Sequence, residues 1–309
     1  MDLKLRNYRT EEDYWRIRAF LRETFLLNGR HEQNWQAARL DYWRWHVVRN
    51  CEEIPTIEDV IFIWETEEGA IGAVLNPEGP GEAFLQVHPA ARTADLEEEM
   101  VRVAEEELAE TTEEGKERLT VWAHAHDTLR QQLLQRLGYR KGEWPEYQRR
   151  RFLDGPIPQP ELLPGYSVRP LGGEEELPAR SWVSWRAFHP DEPDEKYDGW
   201  EWYHNIQSIP MYRRGLDIVA VAPDGEFGAF CTVWFDDVTR TGYFEPVGAA
   251  PEHQRRGLGK AVLFEGLRRL KERGAVLATV AGYSMAANAL YASVMGEEYK
   301  LLERWHKEW

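Results

Sequence analysis

The spacing of apolar and polar residues predicts a series of strands and helices, and the same series occurs twice along the chain. From residue 3 to residue 152 the pattern predicts a strand, two helices, three strands, a helix, a strand, a helix and a last strand. The same order returns between residues 166 and 306. Because the order repeats, we predict two domains of the same fold in tandem.

A segment rich in proline and glycine separates the two repeats. Residues 155–165 contain four prolines and two glycines, a composition that suits a semi-rigid linker. We therefore predict a first domain at residues 1–155, a linker at 156–165 and a second domain at 166–309.

The second repeat contains the clearest local pattern. A predicted strand at 240–249 is followed by a short loop, and then by Leu263, Leu267 and Leu270 at helical spacing. Gly274 ends this helix, and the apolar run 275–281 is short enough to be a buried strand. A strand, a helix and a strand in this order imply a right-handed crossover between parallel strands.

The loop before this helix contains residues that could hold a diphosphate. Gly257 and Gly259 allow the backbone to come close to a ligand. The start of a helix has unpaired N–H groups and a positive dipole, both of which attract phosphate. Arg255, Arg256 and Lys260 add positive charge beside it.

Two common phosphate loops do not fit this stretch. A Walker loop requires glycine where Gln254 stands and serine or threonine where Ala261 stands, and a dinucleotide fingerprint requires a third glycine where Val262 stands. Residues 247–260, with Ala-Pro ahead of Gln-Arg-Arg-Gly-Leu-Gly, resemble instead the acyl-coenzyme A loop of the GNAT-type N-acetyltransferases.

This resemblance implies a fold and a co-substrate. The fold is of mixed α/β class, with two tandem GNAT-like domains, each a mixed and mostly antiparallel sheet around one parallel crossover. The co-substrate is acetyl-CoA, and no metal is implied. The backbone around Val247 and Ala249 is expected to pair with the pantetheine amides. The expected coenzyme-binding residues are Val247, Gly248, Ala249, Gln254, Arg255, Arg256, Gly257, Leu258, Gly259, Lys260 and Asn288.

The same resemblance suggests a general base and a general acid. Glu245 lies on the strand that leads into the loop, where many family members carry a glutamate that deprotonates the amine. A structural role for Glu245 is an equal alternative, and Asp236 and Asp237 are other candidates for the base. Residues 284–291, Ser-Met-Ala-Ala-Asn-Ala-Leu-Tyr, resemble the family helix whose tyrosine, here Tyr291, protonates the departing thiolate.

The first repeat lacks these features. Aligned on the proline before the loop, Asp95 stands where Gly257 is and Glu97 where Gly259 is. Leu134 stands in the place of the catalytic tyrosine. We therefore predict a degenerate and non-catalytic first domain with a structural role; the alternative is that only the second repeat is GNAT-like.

Composition narrows the class of partner. The formal net charge of −16 disfavours a general binder of nucleic acid or of anionic membranes. Two cysteines in different halves suggest a reducing compartment. The chain shows neither a signal sequence nor an apolar run of membrane-spanning length, so we expect a cytoplasmic protein.

These observations predict an acetyl-CoA-dependent N-acetyltransferase that acts by direct attack of a primary amine of a small molecule or peptide. The alternatives are a non-catalytic acyl-CoA-binding sensor or scaffold, and an enzyme that acylates a hydroxyl or thiol. A monomer or a homodimer is expected. Aromatic residues in the second domain are candidates for an amine pocket, foremost among them Trp185, Tyr203 and Trp234.

Overall fold

The chain folds into two compact units. The computed structural model describes residues 2–51 and 56–309. The first unit comprises Met1–Tyr147 together with Lys300–Trp309, and the second comprises Gln148–Tyr299. Both contain a mixed sheet with helices, so the predicted α/β class is confirmed.

The first unit is built on a sheet with the strand order β1-β2-β3-β4-β6-β14. Its neighbours are antiparallel except β4 and β6, which are parallel and flank helix α4. The strands are β1 (Lys4–Asn7), β2 (Phe62–Glu65), β3 (Ile71–Asn76), β4 (Glu82–Val87), β5 (Glu110–Thr111), β6 (Glu117–His124), β7 (Arg140–Lys141) and β14 (Lys300–Glu308). The helices are α1 (Glu11–Leu27), α2 (Ala37–Tyr42), which continues through a π-helical turn (Trp43–Val47) into α3 (Val48–Asn50), α4 (Ala94–Glu107) and α5 (Thr128–Arg136).

The second unit repeats this plan with the strand order β8-β13-β12-β11-β10-β9. Its parallel pair, β12 and β13, flanks α8, as the sequence predicts for the crossover. The strands are β8 (Glu146–Phe152), β9 (Ser167–Pro170), β10 (Asp217–Val221), β11 (Phe227–Asp236), β12 (Thr241–Ala249) and β13 (Leu277–Gly282). The helices are α6 (Leu177–Phe188), α7 (Tyr203–Gln207), α8 (Leu258–Glu272) and α9 (Met285–Met295).

The last strand of each repeat lies in the unit of the other repeat. Strand β14 pairs with β6 from Leu302 opposite His124 to Glu308 opposite Arg118. From Gln148 onward β8 belongs to the second unit, where the N–H of Leu153 donates to the carbonyl oxygen of Val276 at 3.0 Å. The observed units therefore have other bounds than the domains drawn at residue 155.

The segment predicted as a linker packs onto the second unit. Ile157 and Leu162 are partly buried against the core formed by β10–β13 and α8. Lys271 of α8 donates a hydrogen bond to the carbonyl oxygen of Gly155 at 2.6 Å. Residues 156–165 thus cover the core of the second unit instead of forming a free connection.

Helix α1 begins without a side-chain cap. Thr10 occupies its N-cap position, but the Thr10 side chain makes no capping hydrogen bond. The carboxylate of Asp13 instead accepts from the Arg9 N–H at 2.9 Å and binds the Arg6 guanidinium at 2.6 Å. A charged pair therefore fixes the start of α1.

Candidate functional site

The loop between β12 and α8 exposes the backbone that the sequence assigns to phosphate. A short turn at Pro251–His253 leads into Gln254–Gly257, all of which are exposed. Gly257 has φ +78° and begins α8 without any side-chain cap. A left-handed residue at this point favours glycine, and the uncapped first turn presents N–H groups to solvent. Helix starts of this kind are suited to bind phosphate groups, and the contact with a diphosphate stays a prediction.

Tyr166, which sequence reasoning missed, holds this loop in place. Its hydroxyl lies 3.0 Å from Nδ1 of His253 and accepts a hydrogen bond from Nη1 of Arg256 at 2.6 Å. The amide of Gln254 donates to the carbonyl oxygen of Ala249 at 3.2 Å. Arg256 and Gln254, both predicted coenzyme ligands, therefore also brace the loop. Arg255 and Lys260 have exposed side chains.

The two loop glycines have different surroundings. A Cβ added at Gly257 would meet no atom within 4 Å, so the space above it is open to a ligand. A Cβ added at Gly259 would lie 3.0 Å from Cδ2 of Leu290 in α9. Gly259 therefore allows α8 and α9 to pack closely, and its predicted contact with the coenzyme remains a prediction.

A bulge in β12 separates it from β13 beside this loop. Residue 244 pairs with Val233 and residue 247 with Cys231, so β12 has one residue more than β11 at Glu245-Pro246. The indole N–H of Trp234 donates to the carbonyl oxygen of Glu245 within this bulge. Among the described residues, β12 pairs with β13 only from Thr241 to Phe244. Proline donates no ladder hydrogen bond and occurs at bulges and edges, so Pro246 suits this position.

Beyond Phe244 the outer edge of β12 faces the gap left by β13. The N–H of Ala250 donates to Gly228 of β11 at 3.1 Å. Successive N–H groups of a strand point to opposite sides, so those of Val247 and Ala249 point away from β11. This edge offers two amide donors to an extended ligand that carries amides of its own.

Tyr291 lies at the end of this gap. Its side chain is only 6% exposed, and its ring packs on Gly282 at the end of β13. Burial raises the pKa of the Tyr291 phenol above its ordinary value, and the negative charge of Glu245 adds to the rise. Glu245 is partly buried on the bulge. The predicted acid and the predicted base are thus close enough to interact electrostatically.

Asn288 shapes the start of α9. Its amide donates to the carbonyl oxygens of Gly282 at 3.2 Å and Ser284 at 3.0 Å, and its Oδ1 accepts from Arg149 at 3.0 Å. The hydroxyl of Ser284 caps the helix by accepting from Ala287 N–H at 3.1 Å. Asn288 is therefore tied to protein groups, and direct contact with coenzyme A stays a prediction.

Comparison with known proteins identifies the family. Residues 177–296, which span α6 to the end of α9, match the family described as Acetyltransferase (GNAT) family. Residues 177–296 are a GNAT acetyltransferase domain. The chain is an acetyl-CoA-dependent acyltransferase of this type.

Curated relatives and solved structures agree with this assignment. The mycothiol acetyltransferase of Segniliparus rotundus is 28% identical over 242 residues, 72% of this chain and 84% of that protein. The mycothiol acetyltransferase of Thermobispora bispora is 27% identical over 254 residues, 76% of this chain and 78% of that protein.

Two solved structures share the fold over nearly the whole chain. A GCN5-related N-acetyltransferase from Sphaerobacter thermophilus has a TM-score of 0.66 at 21% identity, covering 99% of this chain and 96% of that one. A tandem GNAT protein from the clavulanic acid biosynthesis pathway has a TM-score of 0.67 at 14% identity, covering 99% and 98%. The tandem arrangement read from the sequence is confirmed.

The GNAT co-substrate suits the groups described above. The edge of β12 beyond Phe244 has two outward amide donors, and the start of α8 has uncapped N–H groups; their contacts with pantetheine and diphosphate stay predictions. Among the described residues, no three His, Cys, Asp or Glu side chains are grouped as metal ligands. None of the described helices is long and apolar enough to cross a membrane.

The three aromatic residues predicted for the substrate differ in exposure. Trp185 is partly exposed and stacks on Trp182 at 5.4 Å between ring centroids and on His189 at 5.5 Å. Tyr203 and Trp234 lie in the core at 2% and 0% exposure. Only Trp185 presents a surface that a substrate could touch, so the predicted contact of the other two is not supported by their burial.

Behind this part of the GNAT sheet lies a buried polar network that sequence reasoning missed. Arg180 of α6 and Asp217 of β10 are fully buried and joined at 2.9 Å. Asp217 also accepts from the hydroxyls of Tyr203 at 2.6 Å and Tyr212 at 3.1 Å, while Arg180 donates to Thr232 at 3.0 Å. Thr232 faces the bulge of β12, so the network supports the strand that carries Glu245.

In the first unit a side chain fills the strand edge that corresponds to the outer edge of β12. Strand β4 pairs with β6 only at Glu82 and Ala83, although it continues to Val87. At Val87 the side chain of Asn34 accepts from the N–H at 2.9 Å and donates to the carbonyl oxygen at 3.1 Å. A side-chain amide thus occupies the strand edge that remains bare in the second unit.

Two acidic residues of the first unit, Asp95 and Glu97, stand where the second unit has its loop glycines. Glu97 is fully buried and binds Arg92 at 2.6 Å and Arg130 at 2.9 Å, and these cations hold its pKa below the ordinary value despite burial. Asp95 is exposed. The start of α4 is therefore occupied by an internal ion-pair network.

Proposed function

We propose that the second unit transfers an acetyl group from acetyl-CoA to a primary amine of a small molecule or peptide. The observation that supports this most directly is the bare edge of β12, with Glu245 on its bulge and Tyr291 at the end of the gap. Acetyl transfer to an amine requires a hydrogen-bond donor for the thioester carbonyl oxygen, a base for the amine and an acid for the departing sulfur.

Each group has an assigned task in this proposal. The start of α8 holds the diphosphate, and the N–H groups of Val247 and Ala249 hold the pantetheine amides. Acetyl-CoA supplies the thioester. As the amine nitrogen bonds to the acetyl carbon and the carbon–sulfur bond breaks, Glu245 takes the amine proton, directly or through a water molecule. Tyr291 donates its proton to the departing sulfur.

The electrostatics support these roles. A phenol whose pKa is raised by burial and by Glu245 remains protonated at neutral pH, so Tyr291 has a proton to donate. An amine acceptor has a pKa near ~10 in solution; its neutral form attacks, and the N–H proton that it then loses is the one that passes to Glu245. The net charge of −16 favours a cationic acceptor. Relatives named for mycothiol favour a small molecule.

The test measures thiol release from acetyl-CoA with a panel of amines, alcohols and thiols, together with the mass of each product. Acetylated amines are expected with the wild-type chain, and far slower release with Tyr291→Phe. Tyr139→Phe is the matched control, because Tyr139 is a buried tyrosine of the first unit whose hydroxyl donates to Glu105 at 3.1 Å. Binding of acetyl-CoA without turnover on any acceptor would favour a sensor instead.

A further inference from the structure

Trp234 is fully buried in β11, so its indole is placed to contact other parts of the second unit and not a substrate. It lies opposite Tyr243 of β12, one residue beyond the point where Val233 pairs with Phe244. Val233 belongs to the core that packs against α8, and neighbouring residues of a strand point to opposite faces of a sheet. Trp234 therefore points to the other face of the sheet, as Thr232 does.

The bulge of β12 lies directly across from Thr232. Because residue 231 pairs with residue 247 and residue 233 with residue 244, Glu245 and Pro246 both stand opposite Thr232. In a bulge the extra residue loses its regular ladder partner, and proline has no N–H to donate. The regular pairing of the two strands therefore does not fix the backbone of Glu245.

The indole of Trp234 supplies a hydrogen bond at this point. Its N–H, which can only donate, binds the carbonyl oxygen of Glu245. The carbonyl group and the carboxylate side chain belong to the same residue, so this bond limits the rotation of the Glu245 backbone and with it the direction of the side chain. A buried donor and acceptor that satisfy each other are costly to separate.

The ring of Trp234 is in turn connected to the buried network of Arg180 and Asp217. Its centroid lies 6.3 Å from that of Tyr212, with the two ring planes tilted by 52°. The hydroxyl of Tyr212 donates to Asp217 at 3.1 Å, and the hydroxyl of Thr232 accepts from Arg180 at 3.0 Å. Thr232 and Trp234 are thus both connected to the same buried ion pair.

We propose that Trp234 is a positioning residue that aims Glu245 at the acceptor amine. This inference rests on the proposed function, in which Glu245 takes the amine proton. It gives Trp234 an indirect role in place of the substrate contact expected from the sequence, because the indole acts on the backbone of the base and not on the acceptor. Displacement of a catalytic group by about 1 Å can lower the rate by about 10²-fold, so a bond that fixes its backbone affects the rate.

The experiment uses the full chain and measures kcat, KM for the acceptor and the dissociation constant for acetyl-CoA. Trp234→Phe keeps an aromatic ring and removes the indole N–H. We expect kcat to fall about ten-fold to 10²-fold, because the base is displaced. The dissociation constant for acetyl-CoA should change little, because Val247 keeps its pairing with Cys231 and the N–H of Ala250 keeps its bond to Gly228.

Trp43→Phe is the matched control. Trp43 is a buried tryptophan of the first unit, and its indole N–H also donates to a backbone carbonyl oxygen, that of Glu78, at 3.0 Å. Both variants should lose a similar amount of stability, which chemical denaturation measures, but only Trp234→Phe should lose kcat. Tyr212→Phe is a second variant that leaves the indole in place and should lower kcat by a smaller factor, so the inference can be tested even if Trp234→Phe folds poorly.

A double-mutant cycle tests whether Trp234 acts through Glu245. Glu245→Gln should lower kcat by about 10²–10⁴-fold, the usual contribution of a general base. In that background Trp234→Phe should change kcat by less than about two-fold, because no base is left to aim. General damage to the fold would instead lower kcat by the same factor in both backgrounds.

Some outcomes would overturn this inference alone. They are an unchanged kcat in Trp234→Phe, an equal loss of kcat in Trp234→Phe and Trp43→Phe, and an equal effect of Trp234→Phe with and without the carboxylate of Glu245. An unchanged kcat in Glu245→Gln, or the absence of an acetylated amine with every acceptor, would contradict the proposed function first and this inference with it.

Discussion

Tyr291 rests directly on Gly282: a Cβ built on Gly282 would lie 2.8 Å from Cε2 of the tyrosine ring. The glycine at the end of β13 therefore sets the depth to which the phenol enters the gap beside β12. Any larger residue at this position has to push the ring aside, because interior packing leaves no room for an additional methyl group.

Gly282→Ala should consequently impair catalysis more than coenzyme binding. Overpacking of this kind costs about 1–3 kcal/mol, and a displaced catalytic group can lower the rate by about 10²-fold. We expect kcat to fall at least ten-fold while the dissociation constant for acetyl-CoA changes little. Gly155→Ala is the control, because a Cβ there meets no atom within 4 Å. An equal loss in both variants would contradict the proposed contact.

Removal of the phenol hydroxyl should lower kcat by about 10²–10⁴-fold, the usual contribution of a general acid. The pH profile gives a second check on Tyr291→Phe. Because burial and Glu245 raise the pKa of Tyr291, the phenol stays protonated up to and beyond the ordinary value near ~10. The wild-type kcat should therefore show no Tyr291-dependent fall between neutral pH and about 10. A midpoint below that, absent in Tyr291→Phe, would show that the phenol ionises more easily than proposed.

Tyr166→Phe should weaken coenzyme binding without affecting the chemical step. The change removes the hydroxyl that lies between His253 and Arg256. Each lost hydrogen bond is worth about 1 kcal/mol, so KM for acetyl-CoA should rise about five-fold to thirty-fold. At saturating acetyl-CoA the rate should match the wild type. Unchanged KM would mean that the loop keeps its shape without Tyr166.

The buried pair of Arg180 and Asp217 should matter for stability. Removing one partner leaves the other charge buried and uncompensated, so Arg180→Met should lower the free energy of unfolding by about 3–5 kcal/mol. Adding Asp217→Asn to this variant should recover part of the loss, which a double-mutant cycle by chemical denaturation would measure. Strictly additive losses would show that the two charges do not depend on each other.

Glu82 in the first unit should make stability depend on pH. Burial, followed by the charge of Glu78, raises its pKa from 4.5 to about 7. Between these values the folded chain holds a proton that the unfolded chain has released, so stability falls as pH rises through the window. Relative to Glu82→Gln, the wild type should lose up to about 3 kcal/mol between pH 4.5 and 8. Denaturation curves at both pH values test this, and parallel pH dependence of the two proteins would contradict it.

Local sequence patterns predicted the helices and strands well, because each of these elements has its own spacing of apolar residues. The period of Leu263, Leu267 and Leu270 located α8. Contacts between distant residues have no such signal: nothing around Tyr166 or Asn34 indicates that they brace one loop and fill one groove. A glycine motif likewise cannot reveal that Gly259 faces a helix and Gly257 faces open space.

The pattern of apolar residues also could not predict which sheet a strand joins. Strands β8 and β14 each end one repeat, and both have sequences that suit an antiparallel pairing. Which sheet each joins depends on partners more than a hundred residues away along the chain, and periodicity carries no information about them. The repeat was therefore recognised, while the exchange of its last strands was not.

The position of β14 has a consequence for biosynthesis. A ribosome releases the residues of β1 to β7 long before it makes Lys300–Glu308, the strand that covers β6 from Arg118 to His124. During that interval β6 has an open side, which invites pairing with other nascent chains. Splitting the gene at the proline-rich segment would make this delay permanent, so we expect the two halves to dissolve and fold better when expressed together than apart.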